Sequence, residues 1–196
     1  MGSSIYKYMA SEHATRMLAH GEIRLGTLYS YRKEEELGAG VGDKDEGTVN
    51  LKKSGFTVID TADPRSIPEF FRSGLSVGSG SRLQITARDG IGRQFEDPNC
   101  WIYCTSKYFD RAQMTSMGYD ACIEIFDIEP FFFTVSREIQ ARIQFFWGAA
   151  ECVYRDRAIE HTAYDGVPPV FIKHPRFRGQ AEVRALWIPK EGERVA

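Results

Sequence analysis

Period-two alternation of apolar and polar positions dominates this chain, and helical spacing is confined to a few short stretches. Ile5-Tyr6-Lys7-Tyr8-Met9 predicts a strand. Ser11 then reads as the cap of a helix with Ala14, Met17 and Leu18 on one face, stopped by Gly21. Residues 22–31 alternate as a strand would, with Ile23, Leu25, Thr27 and Tyr29 on one face. Residues 33–47 are charged and glycine-rich, which predicts a long loop. Strands are predicted over 48–59 and 81–87, joined by a polar connection in which residues 67–73 form a helical turn. Trp101-Ile102-Tyr103-Cys104-Thr105-Ser106 is the strongest buried-strand signal, followed by a short helix over 111–117 and a strand over 121–126. Residues 128–146 mix helical and extended spacing, and short strands follow at 152–154, 170–173 and 182–188. Many short strands with few helices between them predict an α+β fold and exclude a doubly wound one.

Composition narrows this picture. At 196 residues, 42% hydrophobic and 27% charged, the chain reads as one globular domain over 1–196. Its net charge of -2 exerts no global pull toward nucleic acid or membrane. A local basic cluster, Lys173, His174, Arg176, Arg178 and Arg184, would favour an anionic partner such as nucleic acid, or is a solvated basic turn. No apolar stretch is long enough to cross a bilayer, and no secretory segment is evident, so no membrane partner is expected. Met1-Gly2-Ser3-Ser4 lacks the Ser or Thr that myristoylation needs, because Tyr6 stands there, and it reads as an expression scar. Cys100, Cys104, Cys122 and Cys152 lack zinc-ligand spacing and fall in apolar, strand-like contexts. They read as reduced core residues of a cytoplasmic protein, with no metal site.

The candidate chemistry lies late in the chain. In Gln180-Ala181-Glu182-Val183-Arg184, an extended strand would turn Gln180, Glu182 and Arg184 to one side. An acid set between an amide and a guanidinium fits a built site; a solvated edge strand would show the same charges. The apolar strand over 101–106 ends in the hydroxyls of Thr105 and Ser106, where a buried strand could meet a cleft. Tyr6, Tyr8, Tyr29, Tyr31 and Tyr103 offer flat faces to a nucleotide ring, or serve as core. Lys7, Arg24 and Arg32 are cations in or beside predicted strands, where a pyrophosphate could be gripped. Gly38-Ala39-Gly40-Val41-Gly42 and the run at 74–80 do not follow a strand and open a helix, which argues against a dinucleotide fingerprint. Asp43, Asp45 and Glu46 have too few ligands for a calcium loop and read as a solvated turn. Cys104 in an apolar strand reads as inert rather than nucleophilic.

Taken together these motifs resemble the ADP-ribosyltransferase-like superfamily, nearest to a group of bacterial and phage-associated proteins. The resemblance rests on Ile5-Tyr6-Lys7-Tyr8, Gly26 to Arg32, Gly42 to Gly47, the 101–106 strand and Phe171-Ile172-Lys173-His174-Pro175 through Arg184. It implies two small β-sheets packed around an NAD cleft with peripheral helices, and an enzyme that takes NAD as substrate. By that resemblance Glu182 matches the acid that stabilises the cleaving ribose, and Gln180 the residue two positions earlier that handles the acceptor. Thr105 and Ser106 match the hydroxyl strand, with Cys104 standing where its first Ser would be. Lys7 stands where His or Arg is expected, and Arg24 or Arg32 is the alternative cation; Tyr6 and Tyr8 flank it. The implied activity is transfer of ADP-ribose to a protein or nucleic-acid acceptor, as a toxin or phage-defence effector with a possible antitoxin. NAD hydrolysis, or a non-catalytic binding module of the same fold, are the alternatives.

Overall fold

A computed structural model describes residues 4–33, 42–73, 75 and 81–195. The glycine positions 38–41 and 76–80, like most of the predicted loop over 33–47, lie outside the described residues. The remainder is α+β, with several small sheets and few helices.

The largest sheet is antiparallel and runs β8(Ala121–Ile125), β1(Ile5–Met9), β7(Trp101–Ser106), β13(Glu182–Pro189), β9(Ile143–Glu151), with β2(Gly26–Thr27) also on β7. β7 is its hub. One edge of β7 pairs with β13 along its whole length, from Trp101 opposite Trp187 to Ser106 opposite Glu182. The other edge is divided: Ser106 registers with Tyr6 of β1 at one end, and Ile102 and Trp101 with β2 at the other. Between these two pairings the sheet opens, and that opening becomes a cleft.

The apolar sides of β1, β7, β8, β9 and β13 gather Ile5, Trp101, Tyr103, Ile125, Ile143, Ala185 and Trp187 into one core. Helix α4(Ile128–Glu138) closes it with Phe132 and Val135, one helical turn apart. The mixed signal over 128–146 thus resolves into α4 followed by β9. Trp187 is fully buried, and its indole N–H donates to Ser136 Oγ at 2.7 Å, so no donor is lost. Helix α1(Ser11–His20) ends as predicted at Gly21, whose φ of 67° lets its N–H reach Met17 O at 2.9 Å. Its N-cap is Ala10 rather than Ser11, because Ser11 Oγ donates to Asp120 instead.

Several predicted strands are cut short: 81–87 keeps Gln84–Ala87, and 170–173 keeps Ile172–Lys173 behind a 3-10 turn at Pro169–Phe171. Of residues 22–31 only β2 is extended, and a 3-10 turn occupies Ser30–Arg32. Ser30 Oγ donates to Thr27 O and accepts from Thr27 N–H, local bonds that compete with a ladder. The 48–59 run divides at Gly55 (φ 82°) into β3(Thr48–Ser54) and β4(Thr57–Asp60). β4 pairs with β5(Gln84–Ala87), whereas β3 lies between β6(Gly90–Glu96) and β11(Ala158–Glu160), antiparallel to the first and parallel to the second. The predicted turn over 67–73 is the short helix α2(Glu69–Arg72). Val49, Leu51, Phe70 and Ile172 form the separate core beneath this small sheet. Helix α3(Arg111–Ser116) is capped by Asp110, which accepts from Gln113 N–H at 2.9 Å, and the parallel pair β10(Val153–Tyr154) and β12(Ile172–Lys173) lies next to the start of β13. No helix among the described residues is long and apolar enough to cross a membrane.

Candidate functional site

β13 enters the sheet from a 3-10 turn at Pro175–Gln180, through Ala181 at φ 41°, ψ 50°. Among the described residues Ala181 is the one non-glycine with positive φ. That residue corrects one expectation: Glu182 and Arg184 share a strand face, but Gln180 sits before the strand, on the turn. Lys173 of β12 brings it back. The Lys173 ammonium donates to Gln180 Oε1 at 2.5 Å and to Glu182 Oε2, within a fully buried group.

Glu182 is the centre of a chain of buried charges. Arg184 Nε donates to Glu182 Oε1 at 2.6 Å, while its two terminal nitrogens hold Glu46 Oε1 and Oε2 at 2.7 and 3.0 Å. Arg184 also donates to the Val170 carbonyl. Arg157 Nη1 donates to Asp43 Oδ2 at 2.8 Å, and its Nη2 lies 3.6 Å from Glu46 Oε1. Lys173, Arg184 and Arg157 thus face Glu182, Glu46 and Asp43, three charges of each sign and none appreciably exposed. Mutual pairing is what makes such burial tolerable.

The acidic turn therefore departs from expectation. Asp45 is exposed, but Asp43 and Glu46 are only 3% and 1% accessible and serve as counterions. The turn is shaped for that role, since Asp43 N–H donates to Tyr31 O and Glu46 N–H to Asp43 O, both at 2.9 Å. Burial alone would raise the Glu182 carboxyl pKa. Arg184 and Lys173 outweigh it and hold that pKa well below the usual carboxylate range, so Glu182 is ionised at neutral pH.

Glu182 lies in the wall of the cleft that opens between β1 and β7, about 490 Å³ of open space including its mouth. Tyr6, Lys7, Tyr8, Thr105, Ser106 and Gln180 line it with Glu182, as do Tyr31, Cys104, Met117, Tyr119, Lys173 and Arg184. Lys7 spans the gap in the sheet: its ammonium donates to Cys104 O at 2.8 Å and lies 4.8 Å from the Tyr103 ring centroid. Desolvation there lowers its pKa from the ordinary lysine value. Thr105 Oγ1 donates to Val183 O at 3.1 Å, tying β7 to β13 beside the acid. The backbone N–H of Glu182 donates to the Tyr154 hydroxyl at 2.6 Å, which fixes the start of the strand.

The remaining sequence candidates sit elsewhere. Arg32 points away from the cleft, donating to Glu96 at 2.7 Å and stacking 4.1 Å from the Tyr29 ring. Arg24 is exposed in the connection before β2 and does not line the cleft, although its charge contributes to the lowered pKa of Lys7. Tyr29 lies outside the cleft, and Tyr103 belongs to the main core. Cys104 does line the cleft, but burial pushes its thiol pKa up to about 12, so it is protonated at neutral pH. All four cysteines are free. Tyr31, a ring face expected from the sequence, and Lys173, of the basic cluster and nine residues before Glu182, both line the cleft, whereas Met117 and Tyr119 join it without a distinctive sequence signal.

Comparison of the chain with protein-family models, with curated proteins and with solved structures finds no match in any of the three. The site's own chemistry is therefore the basis for function. It offers an ionised carboxylate of fixed orientation, an amide and two hydroxyls nearby, aromatic faces and the desolvated Lys7 ammonium.

Proposed function

We propose that this chain is an NAD-dependent ADP-ribosyltransferase, with NAD held in the cleft between β1 and β7 in an ADP-ribosyltransferase-like arrangement of two sheets. The observation that carries this reading is Glu182, a carboxylate kept ionised inside an aromatic-walled cleft by Arg184 and Lys173. In the reaction the bond between ribose C1′ and the nicotinamide nitrogen breaks, and its electron pair leaves with neutral nicotinamide. Positive charge develops on the ribose, and a nucleophilic atom of the acceptor bonds to C1′ and loses its proton. A preorganised carboxylate beside that ribose is attracted more strongly to the transition state than to the ground state. Among the described residues Glu182 spends one contact on each oxygen, and a carboxylate has about four lone-pair directions, so acceptor capacity remains for a ribose hydroxyl.

Tyr6 and Tyr8 supply ring faces, Lys7 a cation for a phosphate oxygen, Thr105 and Ser106 the hydroxyls of the wall, and Gln180 a polar group for the acceptor. The acceptor is a protein side chain or a nucleic acid. The test is nicotinamide release from NAD, with and without cell lysate, by the wild type and Glu182→Gln. A loss of about a hundredfold or more is expected, the scale of removing a key electrostatic group. Thermal melts of both proteins separate lost chemistry from lost folding. Full activity in a folded Glu182→Gln protein overturns the assignment.

A second reading, a non-catalytic binding module, is favoured by the same ion pairs: Glu182 held by two cations is also what a purely structural lock would look like. No nicotinamide release with any lysate would select it. Release without transfer to any acceptor, unchanged in Gln180→Ala, would instead select NAD hydrolysis.

A further inference from the structure

The segment that follows β7 carries exposed groups that NAD chemistry leaves unused. Tyr108 and Phe109 are 61% and 53% exposed and adjacent in the chain. They are held in place rather than loose. The cleft residue Tyr8 donates its hydroxyl to Tyr108 O at 2.9 Å and accepts from Asp110 N–H at 2.7 Å. The Phe109 ring centroid lies 6.0 Å from that of Tyr6 and 6.4 Å from that of Tyr8, so aromatic surface continues from the cleft wall out to the rim.

Cations border these rings. Lys107 lies 5.5 Å from the Tyr108 ring centroid and pairs with Glu151 at 2.6 Å. Arg111 opens α3 and has no carboxylate partner among the described residues. Arg178 sits on the 3-10 turn before β13, and its guanidinium donates to a backbone carbonyl, Tyr154 O, at 3.2 Å. Turn and helix touch at Gly179, where a Cβ would fall 2.4 Å from Gln113 Oε1, the end of a flexible side chain. The nearby acids are committed: Asp110 caps α3, Glu151 holds Lys107, and Glu124 lies within hydrogen-bond reach of the Tyr6 hydroxyl.

We infer that this rim binds single-stranded nucleic acid, with unpaired bases stacked on Tyr108 and Phe109 and phosphates met by Arg111 and Arg178. Every base has a π-face, and an unpaired one can offer it to an aromatic ring; in a duplex those faces are already stacked. Guanidinium groups then supply the sequence-independent attraction to phosphate. An acidic peptide would use the cations but leave both rings in water. In the transferase reading, on which this consequence rests, the bound strand is the acceptor, because the same aromatic surface runs down to the wall that holds Glu182.

The experiment measures fluorescence anisotropy of labelled single-stranded DNA and RNA of about 12 nucleotides, the matching duplex, and a polyglutamate peptide, using the full chain. Single strands are expected to bind in preference to duplex and peptide, and to weaken as salt is raised. Tyr108→Ala is expected to weaken them about tenfold, and Arg111→Glu with Arg178→Glu at least as much. Tyr108 makes no ring–ring contact among the described residues, so that variant stays informative even if Phe109→Ala disturbs the cleft. Equal binding by wild type and Tyr108→Ala, preference for duplex or peptide, or no binding would each overturn the inference. Nicotinamide release, followed in parallel, keeps the two readings apart. NAD cleavage without strand binding removes the rim and leaves the transferase, whereas Tyr108-dependent strand binding without NAD cleavage keeps the rim and removes the transferase.

Discussion

Replacing Glu46 by Gln tests whether the buried charges act as one neutral unit. The substitution keeps shape but removes one negative charge and turns one of the two oxygens that accept from Arg184 into an N–H donor, leaving Arg184, Arg157 and Lys173 against Glu182 and Asp43. Glu46 lies 2.7 Å from Arg184 and 3.6 Å from Arg157, with side chains between 1% and 8% exposed. At an effective dielectric of about 20, a charge pair at such distances is worth ~4 kcal/mol. The relieved desolvation of Glu46 offsets part of the two attractions lost. The net cost falls at about 3–5 kcal/mol, the range for breaking a buried pair from one side. Urea unfolding at pH 7 reads it directly. With a slope near ~2 kcal/mol/M, the midpoint should drop by about 2 M at unchanged slope. Glu193→Gln is the control, because Arg142–Glu193 is a more exposed pair expected to contribute below about 1 kcal/mol. Equal small shifts in the two variants would refute the claim that pairing with Glu46 holds Arg184 in place.

The same logic fixes a pH dependence. Glu182 has a folded pKa below its ordinary 4.5, so its contribution to stability is present above pH 4.5 and lost as pH falls through the folded value. Urea midpoints between pH 7 and pH 3 should decline, and Glu182→Gln should flatten part of that slope; identical slopes would count against it. Ala181 occupies the left-handed region, which costs a non-glycine residue about 1 kcal/mol. Ala181→Gly should leave the melting temperature unchanged or raise it, since strain relief offsets the greater freedom of the unfolded chain, whereas Ala181→Val should lower it. Cys104, with its thiol pushed up to about 12, should react with a thiol reagent in the native protein far more slowly than in the urea-unfolded chain. Comparable native and unfolded rates would contradict the raised thiol pKa.

Much of the main sheet was legible in the sequence, and for a simple reason. β1, β7, β8 and β13 alternate or run apolar over five residues or more, and Gly21 marks a helix end whatever surrounds it. β6 escaped because Gly90 and Gly92 dilute an alternation carried by Ile91, Arg93 and Phe95, which only the neighbouring β3 makes a strand. The shared face of Glu182 and Arg184 follows from strand periodicity, and the sequence alone determined it. Tertiary structure decided the rest of the site. A left-handed Ala181 took Gln180 off the strand, and the division of β7 between β1 and β2 opened the cleft. Packing also turned an acidic turn into counterions for arginines 114 and 138 residues away. Charges have no periodic signature of their own. Whether a carboxylate is solvated or paired depends on which distant cation the fold desolvates beside it, and no local pattern of residues encodes that choice.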